Sequence, residues 1–441
     1  MSSASSNRTA SLAAPVPADI ALLAALVFFC GLAAFLVDLS SPAKVYFDET
    51  WYVPTAREWL ATGNLLHPEH PPLAKLLIAA SVAVFDDNPL GWRVLSAVFG
   101  AITLVGVFFW TLALLDSLKA ALWAAALTLV DQIVYVQSRI AMLDIFLVAF
   151  VTLALAAFTC ALRTESAAKA RAAALASGLC FGLAGACKIS GFFPLLGTMG
   201  LSVIVAAVRR RHGAKLSCAP GVDAALTPGL ALIAFVLAPA LAYLLTFAPQ
   251  ALHNRSILYF FSAQREMFHV MLGHSATHPY SSLWYSWPAE WRPVWYLFDT
   301  PEGKTEDWDE DSPAAAIVAL ANPLVVYAGE ATMLWAGWRA LWREDLRAAV
   351  IVVAFLSQWL PWMVNPKGLE FSYYFFPSLV CLGPALALLF FRRRDVRGEV
   401  LGSVFLILAA VLFVFFLPVL EPSLGVTPDD LDARAWLPEW R

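Results

Sequence analysis

The chain has 441 residues, 60% of them hydrophobic and 14% charged, with a mean hydropathy of +0.70. No water-soluble surface can be built from that composition, so the chain belongs in a bilayer. A net charge of −4 supplies no broad basic field, which argues against a nucleic-acid partner. Cys30, Cys160, Cys180, Cys187, Cys218 and Cys381 lie in or beside apolar runs without a C-x-x-C pair, and they read as small core hydrophobes. Many of the 17 Trp flank apolar runs, as headgroup-level anchors do.

In chain order, residues 1–17 are poor in large apolar side chains and read as a disordered cytoplasmic arm. The first apolar run, about Asp19 to Val37, is long enough to span and lacks a small-x-small cleavage site, so it reads as a retained span. Further spanning runs centre near Val98, Ala125, Leu153, Gly178, Val203, Phe235, Val325, Val353, Ala385 and Ile407. The expectation is an all-α integral membrane protein with about eleven transmembrane helices, occupying residues 18–420, followed by an outer tail at 421–441.

Basic residues fall in alternate connections: Lys119, then Arg163, Lys169 and Arg171, then Arg209 to Lys215, then Arg339, Arg343 and Arg347, then Arg392 to Arg397. By the positive-inside rule these connections are cytoplasmic and the N-terminus is inside. The opposite, outer set holds Lys44–Gly91, Gln137–Asp144, Lys188–Phe192, Gln250–Ser312 and Asn365–Glu370.

The polar clusters all fall on that outer set. Asp48 and Glu49 are adjacent carboxylates where the chain leaves the first span, and Asp48 or Thr50 can cap a short helix running to about Thr62 and ended by Gly63. A carboxylate fixed there can take a proton from a hydroxyl, or can simply be a solvated charge favouring the helix dipole. His67, Glu69 and His70 follow on a segment stiffened by Pro68, Pro71 and Pro72. They suit a structural loop, and also a divalent metal, although no helical spacing presets the ligands. Leu73 to Phe85 reads as a second short interfacial helix.

Arg139 and Asp144 sit at the outer ends of neighbouring spans, where they can pair with each other or, for Arg139, hold a phosphate. Lys188 can snorkel or contact an anion. The long outer loop carries His278, Tyr280, Trp284 and Trp287, aromatics that lie at an interface or stack on a sugar. One outward site follows. A transfer reaction there has no nucleotide sugar or ATP to draw on, so a lipid-linked phosphate is the simplest donor.

The stretches Phe47-Asp48-Glu49-Thr50-Trp51-Tyr52-Val53, His67-Pro68-Glu69-His70-Pro71-Pro72-Leu73-Ala74-Lys75, Ser138-Arg139-Ile140-Ala141-Met142-Leu143-Asp144, Lys188-Ile189-Ser190-Gly191 and His278-Pro279-Tyr280 leading to Trp287-Pro288 resemble the C-type membrane glycosyltransferases (GT-C fold). Within that class the chain looks most like the protein O-mannosyltransferases and their bacterial relatives. The resemblance implies an inverting transfer of a sugar, typically mannose, from a polyprenyl-phosphate donor to a Ser/Thr hydroxyl of a protein, in the bacterial inner membrane. It implies Asp48 as catalytic base with Glu49 beside it in the catalytic pair, orienting the acceptor or donor, and Arg139, Arg93, Lys188 and Lys367 as candidates for the donor phosphate. Tyr52, His67, Glu69, His70, Asp144, His278, Tyr280, Trp287 and Tyr373 are the expected substrate contacts. Alternatives are a lipid or glycan acceptor, as in aminoarabinose transferases, or a flippase that makes no bond. Two departures stand out: Gln250–Ser312 is too short and apolar for the folded lumenal domain of eukaryotic members, and Lys367 replaces the family's usual Arg.

Overall fold

A computed structural model describes residues 17–212, 227–273, 278–300, 312–365 and 369–440. The first apolar run forms α1 (Pro17–Leu36), and the segment after it forms α2 (Glu49–Thr62) and α3 (Leu73–Phe85), the two short helices expected. Gly63 closes α2 in the left-handed conformation (φ +77°), donating its N–H to the Trp59 carbonyl, as a helix-ending glycine does. Spanning helices α4 (Pro89–Leu115), α7 (Asp144–Arg163), α8 (Ala167–Cys187) and α9 (Phe193–His212) follow. The Asn88 and Ser166 side chains cap α4 and α8 by accepting backbone N–H groups. The helix α7 is the hub: it packs on α4 and α8, with Phe146 and Phe158 almost fully buried.

Among the described residues, nine helices are long and apolar enough to cross a membrane, two fewer than the sequence suggests. The run near Ala125 breaks into α5 (Leu118–Leu129) and α6 (Gln132–Gln137) because Asp131 accepts the Ile133 N–H and starts a new helix. The run near Val325 is a 20-residue helix, Pro323–Trp342, that carries Glu330 and Arg339 and falls short of the spanning helices in apolarity. The all-α expectation needs one amendment. Two antiparallel strands, β1 (Val294–Asp299) and β2 (Ala315–Ala319), form within and just after the long loop, with a bulge at Tyr296.

The tail is not free. Glu421 pairs with Arg139, Thr427 and Asp430 form a capping box, and the Trp440 indole donates to the Glu290 carbonyl at 2.6 Å. Helix α8 meets the helix Pro228–Leu245 through Gly178 and Gly182, a small-xxx-small spacing that lets backbones approach. A methyl group at Gly178 would sit 1.7 Å from the Ala234 carbonyl oxygen, which is backbone and cannot swing away. Gly178→Ala is therefore expected to destabilise the bundle by about 1–3 kcal/mol, read as a lower thermal midpoint in detergent, with Gly200→Ala, where the space is open, as the neutral control.

Candidate active site

Adjacent residues Asp48 and Glu49 go to opposite environments. Phe47 adopts a left-handed backbone (φ +44°), unusual for an aromatic residue, and its ring stacks on Tyr296 at 4.1 Å and meets Tyr373 edge-on. That anchored kink starts α2 at Glu49. The Glu49 carboxylate is fully buried and forked by Arg93, with Nε to Oε1 at 2.8 Å and Nη2 to Oε2 at 2.9 Å. Glu49 Oε1 also accepts the Ala141 N–H. The remaining Arg93 donors go to the carbonyls of Leu39, Pro42 and Lys44. All five guanidinium hydrogens are thus committed inside the protein. Neither the phosphate contact expected of Arg93 nor the substrate contact expected of Glu49 fits this geometry: together they lock α2, α4 and the 39–44 turn.

Asp48 is the N-cap residue of α2, yet its side chain makes no cap bond, and among the described residues no side chain pairs with it. Burial pushes its carboxyl from 3.8 up to about 7, with Lys188 opposing the shift and the Asp144 and Glu69 carboxylates adding to it. Those partners define the site. Lys188, the residue after α8, donates to Asp144 Oδ1 at 2.9 Å, and its ammonium lies 4.4 Å from the Tyr374 ring centre and 5.6 Å from that of Tyr373. The Arg139–Asp144 pair considered from the sequence does not form. Arg139 instead pairs with Glu421 at 2.5 Å, donates to the carbonyls of Phe35, Val37 and Asp38, and lies against Tyr135. It is engaged in holding the tail to α1, so Lys188 is the cation facing Asp48.

Tyr52 is buried beside the acidic group, and Tyr373 packs among Phe47, Tyr296, Phe371 and Tyr374. His67 has a left-handed backbone (φ +57°), sits 3.5 Å from Glu69 and meets Trp51 edge-on. Beneath that loop, the nearly buried Lys75 donates to the carbonyls of His67 and His70, and burial pulls its ammonium down to about 8. Among the described residues no group of three His, Cys, Asp or Glu converges to hold a metal, so the His67, Glu69 and His70 set is not assembled as a ligand cluster. His278 and Tyr280 stay near the surface, with the His278 ring against Phe371. Trp287 is 1% exposed, wedged against Trp362, Tyr374 and Phe375, and so supports the aromatic layer from behind instead of facing a substrate. Lys367 lies outside the described residues.

A cleft of about 300 Å³ opens beside Lys188. It is lined by the polar residues His70, Ser190 and Asn365 and, for the larger part, by apolar ones such as Ile189, Phe193, Met271, Trp362 and Val364. A phosphate at the ammonium and a hydrocarbon chain along the wall suit such a surface. Residues not expected from the sequence are Tyr296, Tyr374 and Glu421. The run Val294-Trp295-Tyr296-Leu297-Phe298 carries the β-branched and aromatic signal of a strand, which could have pointed to Tyr296.

The signature of the family described as dolichyl-phosphate-mannose-protein mannosyltransferase matches residues 25–254, half of the chain. The chain belongs to this family. Among its relatives, the polyprenol-phosphate-mannose--protein mannosyltransferase of Mycobacterium tuberculosis is 29% identical over 96% of this chain and 91% of its own length. The enzyme of the same name from Mycolicibacterium smegmatis is 27% identical over 96% and 92%. The fold is that of the yeast (S. cerevisiae) protein O-mannosyltransferase Pmt1–Pmt2 complex bound to the sugar donor, with a TM-score of 0.77 at 14% identity over 96% of this chain and 93% of that one. ArnT from Cupriavidus metallidurans shares it with a TM-score of 0.58 at 16% identity, covering 91% and 64%. Membership makes the chain a multi-pass membrane glycosyltransferase, and the GT-C architecture expected from its motifs is the one it has.

Proposed function

We propose that the chain is an inverting mannosyltransferase that moves mannose from a polyprenyl-phosphate carrier to a Ser/Thr hydroxyl of a protein on the outer face of the cytoplasmic membrane. The names of its bacterial relatives supply the donor and the acceptor class. The observation that carries the chemistry is the unpartnered Asp48 carboxylate, its pKa raised to about 7, beside the Lys188–Asp144 pair, of which Lys188 lines an apolar cleft. In this reading the prenyl chain lies against Ile189, Phe193 and Trp362 with its phosphate at Lys188. Asp48 takes the hydroxyl proton as that oxygen bonds to the anomeric carbon, the bond from that carbon to the phosphate oxygen breaks, and Lys188 offsets the charge on the departing lipid phosphate. The Arg-rich ends Arg163, Arg339–Arg347 and Arg392–Arg397 support a cytoplasmic placement of the opposite face.

Purified protein given polyprenyl-phosphate-[³H]mannose and a Ser/Thr-rich peptide should place label on the peptide. Label appearing only in solvent-extractable lipid or glycan would overturn the protein-acceptor reading, and no label transfer at all would overturn the enzymatic one. The base must be ionised to act, so kcat/KM should fall about tenfold per pH unit below an apparent pKa near 7 and level off above it. A profile flat from pH 5 to 8 would remove Asp48 from that role.

A further inference from the structure

The end of the bundle away from Asp48 carries two adjoining cavities that the transfer site does not use. Helix α7 runs 20 residues from Asp144, in the site, to Arg163, which places Arg163 roughly 28 Å away. Around Arg163 lies a cleft of about 370 Å³ lined by Arg339, Arg343 and Arg347, with Glu344 and Asp345 as its only carboxylates. Asp345 is already shared by Arg339 at 2.7 Å and Arg347 at 3.3 Å. Arg163 donates to the neutral carbonyls of Ala113 and Leu114, and among the described residues Arg343 has no carboxylate partner, its guanidinium resting 5.3 Å from the Trp338 ring centre. Nearby, burial together with Arg339, Arg393 and Arg347 lowers the Arg392 pKa, as expected where positive charge is in excess. The cleft is therefore built to receive negative charge.

Two observations decide in favour of a lipid over a free anion. Trp338 and Trp342, at the end of the helix Pro323–Trp342, are exposed beside the cleft, as tryptophans at headgroup depth are. Arg163 also lines a second, larger groove of about 780 Å³ whose lining is mostly apolar, with Ile20, Phe109, Leu112, Leu153 and Cys160, and includes Asp116, Thr164 and Lys169 as its other polar residues. An inorganic ion would need only the first cavity, whereas a phospholipid needs a basic pocket and an apolar groove that meet at one cation.

We propose that this paired cavity binds an anionic phospholipid of the adjacent leaflet, with its phosphate between Arg163 and Arg343 and an acyl chain along the groove between α1, α4 and α7. Such basic pockets between spanning helices suit anionic headgroups, each nearby cation adding about 1 kcal/mol, or about fivefold in affinity. The test is native mass spectrometry of the intact detergent-purified protein titrated with phosphatidylglycerol or phosphatidylcholine of matched chains. Phosphatidylglycerol should bind more tightly. Arg343→Gln should weaken it about fivefold and weaken phosphatidylcholine, whose choline already offsets its phosphate charge, by less. Cys160→Trp, which fills the groove without altering charge, should weaken both lipids. Arg57→Gln, in α2 at the other end, should change neither. Equal retention of the two lipids, insensitivity of phosphatidylglycerol to Arg343→Gln, or its displacement by millimolar inorganic phosphate would each overturn the proposal.

Discussion

Asp48→Asn should lower kcat for mannosyl transfer by about 10²–10⁴-fold while leaving the thermal midpoint and donor affinity close to those of the parent. The amide matches the carboxylate in size and cannot accept the acceptor's proton, and no described side chain pairs with Asp48, so no fold contact is lost. The parent already holds this group near neutrality because of burial, so replacing it by a neutral amide relieves desolvation and adds no new strain. Retained turnover in the Asp48→Asn variant would show that another group takes the proton.

The neighbouring substitution should behave in the opposite way. Glu49→Ala leaves the Arg93 guanidinium buried without a counter-charge and strips the Ala141 N–H of its acceptor, a loss of about 3–5 kcal/mol in a structure of ordinary marginal stability. The expected result is poor accumulation of folded protein and a sharply lowered thermal midpoint. Glu49→Gln keeps one acceptor for Arg93 and should lose less. Arg93→Met should be worse than Glu49→Gln, because it also abandons the carbonyls of Leu39, Pro42 and Lys44. If Glu49→Gln instead kept full stability and lost transfer by a factor like that of Asp48→Asn, the division of labour between the two carboxylates would be wrong.

Much of the region from α2 to α3 is legible in the sequence because its punctuation is local. Gly63 and the prolines at 68, 71 and 72 end α2 and delay α3, and both helices fall where those residues put them. Helix ends near Asp144 and Lys188 are equally plain from hydropathy. Partner choice is not local, and there the sequence misleads. Arg139 has Asp144 five residues away but pairs with Glu421, 282 positions along the chain, while Asp144 pairs with Lys188 from another span. Arg93 has the look of a free cation at a membrane edge, and its donors are consumed only where Glu49 and the 39–44 turn fold back over it. Tyr296 reaches the site because a β-bulge re-aims it, a detail that aromatic density cannot disclose.

The most direct test of the account is a structure of the protein bound to polyprenyl phosphate in a lipid nanodisc. Phosphate density is expected within about 3 Å of Lys188 Nζ, with the prenyl chain against Phe193 and Trp362 and Asp48 facing the space where the sugar would sit. Phosphate held by Arg139 or Arg93, with Lys188 still closed on Asp144 and out of reach, would contradict it.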